Sequence, residues 1–213
     1  QFGEKTGLDL PGELGGILPS REWKKINKDE PWYRGETLIT GIGQGFMTAS
    51  PIQLALATGA IANKGNLLTP RVLMHSQSKD GESYFESQTE SKQIPIKNID
   101  NWELIIQSMK QTIYGKLGTA KRLNNKLNYT LAGKTGTAQV FGLDPEEEYI
   151  AENIDEKLRD HALFTAFAPI ENPQVAIAII VENAGSGSSK AAPLARSLLD
   201  EYFNKYGVDP DKI

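Results

Sequence analysis

Two apolar runs joined by a short turn restrict the fold more than any other part of the chain. The first is Leu163-Phe164-Thr165-Ala166-Phe167-Ala168-Pro169 and the second is Val175-Ala176-Ile177-Ala178-Ile179-Ile180-Val181, with Ile170-Glu171-Asn172-Pro173 between them. Parallel pairing needs a crossover of a dozen residues or more, so a turn this short dictates an antiparallel hairpin. Continuous rather than alternating apolar residues mean that it is buried on both faces. A third stretch, Tyr129-Thr130-Leu131 followed by Ala132-Gly133-Lys134-Thr135-Gly136-Thr137-Ala138-Gln139-Val140, has β-branched residues and no helical period. Strands are therefore predicted near 129–140, 163–170 and 175–183, consecutive and antiparallel, with 163–170 in the middle. A helix over Ala191–Tyr206, with Pro193 in its first turn and Leu194, Leu198, Leu199 and Phe203 at helical spacing, is predicted to pack on one face. The expected class is α/β of the α+β type: an antiparallel sheet flanked by helices.

The Lys134 stretch carries the chemistry. Gly133 and Gly136 remove side chains on either side of the lysine, which lets a ligand backbone approach. An edge strand with one cation, two hydroxyls and free N–H groups suits an extended peptide ending in a carboxylate. The triplet alone is equally the pattern of an edge-strand lysine that blocks aggregation. A second Lys-Thr-Gly, Lys5-Thr6-Gly7, runs into Pro11-Gly12 turn chemistry and reads as a loop. Gly133-Lys134-Thr135 also resembles the end of a phosphate-binding loop, but the first glycine of that motif would fall at Asn128. The following Gly136-Thr137-Ala138 is moreover a poor helix start.

Residues 1–40 hold Pro11-Gly12, Gly15-Gly16, Pro19, Pro31 and Gly35, and read as a long ordered loop with Ile17-Leu18 and Trp23 as anchors. Gly41-Ile42-Gly43-Gln44-Gly45 is a turn. Ser50 as N-cap and Pro51 at the first position open a helix over 51–64 that is apolar nearly all round and hence expected to be central and buried. Asn63-Lys64-Gly65 ends it. An extended piece follows at Leu67–Leu73, then an exposed polar excursion over 75–95. A second helix, Ile99–Tyr114, is expected to be capped by Asp100, with Trp102, Leu104, Ile105, Ile106, Met109 and Ile113 as its apolar stripe. The acidic stretch 142–160 reads as a solvated connection, and Gly185-Ser186-Gly187-Ser188-Ser189 as a flexible loop.

A net charge of −4 gives no reason to expect nucleic acid as a partner. The chain has no cysteine, which excludes disulfides and thiolate catalysis and fits an oxidising compartment. No apolar run is long enough to cross a bilayer. The chain opens Gln1-Phe2-Gly3-Glu4, without an initiator methionine or a signal peptide, and is expected to be an internal piece of a longer protein.

Several blocks, in order, resemble the transpeptidase domain of class B penicillin-binding proteins. They are Lys5-Thr6-Gly7-Leu8-Asp9-Leu10-Pro11-Gly12-Glu13; Gly43-Gln44-Gly45 with Thr48-Ala49-Ser50-Pro51-Ile52-Gln53-Leu54-Ala55; Ala62-Asn63-Lys64-Gly65; Gly133-Lys134-Thr135-Gly136-Thr137-Ala138-Gln139; and Arg159-Asp160-His161 leading to Thr165-Ala166-Phe167-Ala168-Pro169. The Ile42-Gly43-Gln44-Gly45 form is most similar to the elongation branch of that family. The family needs Ser-x-x-Lys for the nucleophile and its activator, Ser-x-Asn, and Lys-Thr-Gly. Only the third is here. The one formal Ser-x-x-Lys, Ser76-Gln77-Ser78-Lys79, lies in a polar stretch and not at the start of an apolar helix. The similarity therefore covers the C-terminal part of a single domain, 1–213, with its N-terminal part absent.

The resemblance implies the penicillin-binding transpeptidase and serine β-lactamase fold, present in part. It implies that Lys134 sits near the nucleophile and raises the local positive potential. The hydroxyls of Thr135 and Thr137 would hold the carboxylate of a stem peptide or β-lactam, and Gly136 would permit close approach. The Thr137 N–H would be one oxyanion-hole donor. Asp160 and His161 match the family pattern and receive no chemical role. No cofactor and no metal are implied. Partners would be peptidoglycan stem peptides, β-lactams and, for the intact enzyme, cell-elongation membrane proteins at the periplasmic face of the inner membrane, where an anchor outside this chain would hold it. The activity implied is serine D,D-transpeptidation; a D,D-carboxypeptidase or β-lactamase of the same fold, or a non-catalytic β-lactam sensor, shares the Lys134 motif. The chain alone is expected to be inactive. It is also expected to leave the outer edge of the 175–181 strand bare and the 51–64 helix less buried than its composition requires.

Overall fold

The computed structural model describes residues 2–81, 83–86, 90–140 and 154–208, of which 83–86 by backbone only. In chain order the elements are α1 (Arg21–Lys28), α2 (Arg34–Gly41), α3 (Pro51–Ala62), β1 (Asn66–Leu68), β2 (His75–Gln77), β3 (Ser83–Glu86), β4 (Ser91–Gln93), α4 (Asp100–Tyr114), β5 (Ala132–Ala138), β6 (His161–Ala168), β7 (Val175–Val181) and α5 (Ala191–Tyr206). The chain divides into two compact units, residues 1–53 with 68–92, and residues 54–67 with 93–213. No helix of the described residues is long and apolar enough to cross a membrane.

The first unit corrects the reading of residues 1–40 as loop alone, because α1 and α2 are helical. Ser20 caps α1 by accepting from the Trp23 N–H at 3.0 Å. Lys24 on α1 is 1% exposed. Burial lowers its affinity for a proton, but Glu36 at 2.5 Å and Glu30 at 3.2 Å outweigh that and hold its pKa above the usual lysine value. Its ammonium also lies 4.3 Å from the centre of the Tyr33 ring. Trp23 does anchor, 5.4 Å from the Phe46 ring, and Ile17 bridges to Thr48, whereas Leu18 is exposed. The polar excursion contains the antiparallel β2–β3 ladder, with Ser76 on β2 and Lys79 exposed beyond it.

Gln53 ties this unit together. Its Nε2 donates to the carbonyls of Glu4 (2.8 Å) and Gly15 (2.6 Å), and its Oε1 accepts from the Ser50 N–H at 2.9 Å. Ser50 Oγ accepts in return from the Gln53 N–H at 3.4 Å, so the predicted N-cap is half of a capping box. Gln53→Leu keeps the volume and removes at least these three side-chain bonds. It should destabilise the protein by about 1–3 kcal/mol, the penalty for leaving such groups unpaired. Thermal unfolding measures this, and an unchanged midpoint would show that water replaces the amide.

In the second unit β5, β6 and β7 form one antiparallel sheet with β6 in the middle, as predicted. One face carries Ala162, Phe164 and Ala166 against Ala191, Ala192, Ala195, Leu199 and Phe203 of α5. The other carries Ala132 and Phe167 against Ile106 and Met109 of α4 and Ala62 of α3. The packing stripe of α5 differs from the predicted one: Leu194 and Leu198 are exposed, and three alanines let the helix lie close to the sheet. On α4, likewise, Leu104 and Ile105 face out while Trp102, Ile106, Met109 and Ile113 are buried. Its cap is Asn98 and not Asp100: Asn98 Oδ1 accepts from the Asp100 N–H at 3.0 Å, and Asp100 is already helical.

α3 is half-buried. Ala60 and Ala62 are inside, but Ile52, Leu54, Leu56 and Ile61 are only partly covered, against the central position its composition predicts. All seven residues of β7 are partly exposed, and among the described residues its outer edge pairs with no strand. The acidic stretch lies outside the described residues up to 153; beyond it Glu156–Leu158 form a 3-10 turn.

Candidate functional site

Among the described residues β5 is an edge strand, and its register against β6 fixes what each face presents. Lys134 pairs with Thr165, Thr135 with Phe164, Gly136 with Leu163 and Thr137 with Ala162. Cross-strand partners share a face. Lys134 therefore lies on the α4 side with Ala132, while Thr135 and Thr137 lie on the α5 side with Phe164 and Ala162. The cation and the hydroxyls thus belong to opposite faces of one exposed edge, a separation the motif alone does not show. Lys134 is exposed, and its Nζ donates to the Thr135 carbonyl at 2.7 Å. Thr137 is exposed; Thr135 and Gly136 are half-buried. A strand runs straight through Gly133-Lys134-Thr135, so the helix that a phosphate-binding loop must open does not follow.

Gly133 is required by packing within the sheet: a Cβ there would lie 2.7 Å from the Phe164 ring and 2.9 Å from the Thr165 carbonyl. The supposedly flexible loop after β7 is also committed. Gly187 is buried, and a Cβ on it would meet the carbonyls of Leu163 and Gly136 at 2.2 and 2.4 Å. Its own carbonyl accepts from the Ala192 N–H at 2.9 Å, which joins the loop to the start of α5.

Thr119, in the turn after α4, is 2.9 Å from Thr135, hydroxyl to hydroxyl. It stands between two surface clefts. One is lined by Ser108, Gln111, Thr112, Lys116 and Lys134, the other by Lys121, Arg122, Ser188, Ser189 and Pro193, with Gly118 and Thr119 in both. Four cations and, among the described lining residues, no carboxylate line the two clefts that share Thr119, on a chain whose net charge is −4. Such a surface favours an anionic ligand.

The turn that leads into β5 is held from α5. Arg196 donates to the carbonyls of Leu123 (2.5 Å), Asn125 (3.1 Å) and Lys126 (3.1 Å), and its Nε lies 2.6 Å from Asp200. Tyr129 donates to the same Asp200 at 2.8 Å; burial, then this bond, pushes its phenol above the usual value. Sequence reading missed Arg196 because its partners are backbone carbonyls some seventy residues away.

His161 Nδ1 accepts from the Asn183 N–H at 3.0 Å, and Asn183 Nδ2 donates to the carbonyls of Lys157 (2.9 Å) and Arg159 (3.0 Å). This histidine joins the start of β6 to the end of β7, a structural task. Asp160 is 6% exposed; burial pushes its carboxyl up, against a bond from the Val140 N–H that pulls it down.

The penicillin binding protein transpeptidase domain model matches residues 1–200. The chain belongs to that family. Peptidoglycan D,D-transpeptidase MrdA of Haemophilus influenzae is 40% identical over 204 residues, 96% of this chain and 31% of the relative. A crystal structure of Pseudomonas aeruginosa PBP2 in complex with WCK 5153 superposes with a TM-score of 0.78 at 40% identity, covering 99% of this chain and 42% of that one. PBP2 of Helicobacter pylori, solved in complex with MreC, gives a TM-score of 0.78 at 34% identity over 96% of this chain and 34% of its own. The chain thus has the penicillin-binding transpeptidase fold in part and spans about a third of the length of its curated relatives.

Proposed function

We propose that the protein to which this chain belongs is a peptidoglycan D,D-transpeptidase of cell-wall elongation. The observation that carries the reading is the edge strand β5, with Thr135 and Thr137 on one face and Lys134 on the other, beside clefts whose charged lining residues, among those described, are all cations. In this reading a serine outside the chain attacks the penultimate D-Ala carbonyl of a stem peptide. The serine ester forms, the peptide C–N bond breaks, and D-alanine leaves with the proton that the serine gave up. A neighbouring strand's amine then attacks the ester and returns a proton to the serine oxygen. Thr135 and Thr137 hold the terminal carboxylate, Gly136 admits the peptide, Thr137 N–H faces the developing oxyanion, and Lys134 stabilises negative charge near the nucleophile. β-Lactams occupy the same site as stem-peptide mimics.

The chain is read as the C-terminal part of one domain. The outer edge of β7, unpaired among the described residues, and the half-covered α3 are the surfaces that the remainder would close. The identity with MrdA proteins supports a periplasmic, membrane-anchored enzyme, and the PBP2–MreC complex supports elongation proteins as partners.

Labelled penicillin tests the reading. The full-length protein should take up one covalent label per molecule, and the isolated 213-residue chain none. Labelling of the isolated chain would overturn the assignment of the nucleophile and make Ser76 the first residue to replace. Between 0.15 M and 0.01 M salt the Debye length grows from about 8 to about 30 Å. Acylation by an anionic penicillin should therefore rise severalfold on lowering the salt, and acylation by its uncharged methyl ester should not. Equal responses would remove the anion-attracting surface from the account.

A further inference from the structure

We propose that Thr119 is a positioning residue that sets the direction of the Thr135 hydroxyl towards the substrate's carboxylate. The inference rests on the reading of Thr135 given above. A threonine hydroxyl has one proton. If Thr135 gives its proton to a carboxylate, the 2.9 Å contact with Thr119 can persist only with Thr119 as donor. Thr119 then both orients the Thr135 proton and polarises it, strengthening a charge-assisted bond. Without Thr119 the Thr135 hydroxyl is free to rotate its proton away from the anion.

The turn is built to hold Thr119 still. Its two neighbours are drawn onto the end of α4: the Gly118 N–H donates to the Gly115 carbonyl at 2.9 Å, and the Ala120 N–H to the Thr112 carbonyl at 3.0 Å. The second of these satisfies a carbonyl that the end of a helix leaves open. Gly118 lies so close that a Cβ would be 2.4 Å from the Thr112 carbonyl and 2.7 Å from that of Gln111. Ala120 is 2% exposed, whereas Thr119 between them is exposed. A fixed backbone thus presents one exposed hydroxyl to Thr135, at the ridge between two cation-lined clefts.

The test uses the full-length enzyme, with binding (KI) and chemistry (k2) of acylation measured separately for a penicillin and for its methyl ester, which lacks the carboxylate. Thr119→Val should weaken penicillin binding about tenfold, in keeping with a bond to a charged group. The k2 should change little, ester binding less than twofold, and Thr119→Ser should restore most of the loss. Equal losses for acid and ester would show a merely structural role and overturn the proposal. Thr135→Val separates the two readings. If it weakens the acid selectively while Thr119→Val does not, Thr119 has no such role and the anion site stands. If Thr135→Val shows no preference for the acid, the anion site itself fails, and this inference with it.

Discussion

Lys134→Ala in the full-length protein should slow β-lactam acylation by about a hundredfold or more, the scale of losing one preorganised charge-stabilising group. Lys5→Ala should leave it within about twofold, a surface change of small consequence. Both residues open a Lys-Thr-Gly triplet, so the pair isolates context from motif. Lys134 lies on a seven-residue strand whose neighbours are fixed by the β6 ladder, and its ammonium is held 2.7 Å from the Thr135 carbonyl. Lys5 is exposed in a loop, where the working contacts belong to Thr6: its N–H donates to Glu13 at 2.7 Å, and its hydroxyl accepts from the Leu8 N–H at 3.3 Å. Rates of covalent labelling by a fluorescent penicillin decide the matter. Comparable losses from the two variants would show that the wrong triplet has been assigned.

The antiparallel pairing of β6 with β7 was legible because two apolar runs are joined by a turn too short for a crossover, whereas the place of β5 beside β6 is not fixed by that turn. Helix existence was legible where capping and apolar spacing coincide, as at Ser50-Pro51. What failed was orientation. In α5 two of the predicted stripe residues, Leu194 and Leu198, face outward, and alanines at 191, 192 and 195 join Leu199 and Phe203 in the contact, because close approach to the sheet favours small residues there. A stripe read from side-chain size is then rotated by about one position. α1 was missed because its inward residue is a lysine, made tolerable by two glutamates and an aromatic ring that no local pattern announces.

At the site, the Lys134 motif was visible and its surroundings were not. Thr119 is sixteen residues from the threonine it touches, and Arg196 is seventy or more from the carbonyls it holds. Such contacts depend on how α4, β5 and α5 come together, and a single chain carries no local mark of them. Gly187 is the sharpest instance. In sequence it is one of two glycines among serines, the composition of a mobile linker. In the fold its backbone lies against the β5–β6 pair.

Gly187→Ala should therefore be among the most damaging single-methyl changes in this chain. The added carbon would sit 2.2 Å from the Leu163 carbonyl oxygen and 2.4 Å from that of Gly136, well inside van der Waals contact. Both obstacles are backbone atoms of paired strands, so no rotamer change relieves them. The loop cannot simply lift. The Gly185 N–H is bonded to the Asp160 carbonyl at 2.8 Å, and the Gly187 carbonyl receives the Ala192 N–H at 2.9 Å. Leu163 and Gly136 are direct cross-strand partners, so any yielding of the sheet is delivered to Gly136 and Thr137. Overpacking of this kind costs about 1–3 kcal/mol, and a displacement near 1 Å at a positioning strand can reduce rate by about a hundredfold. The expected result is a lowered melting temperature together with acylation slowed at least about tenfold, by the same reasoning. Gly35→Ala is the control. It sits in α2 with open space around its Cβ, and should be neutral or slightly stabilising through helix propensity. If Gly187→Ala labels with penicillin as fast as the parent and melts at the same temperature, the loop yields without effort and does not hold the strand.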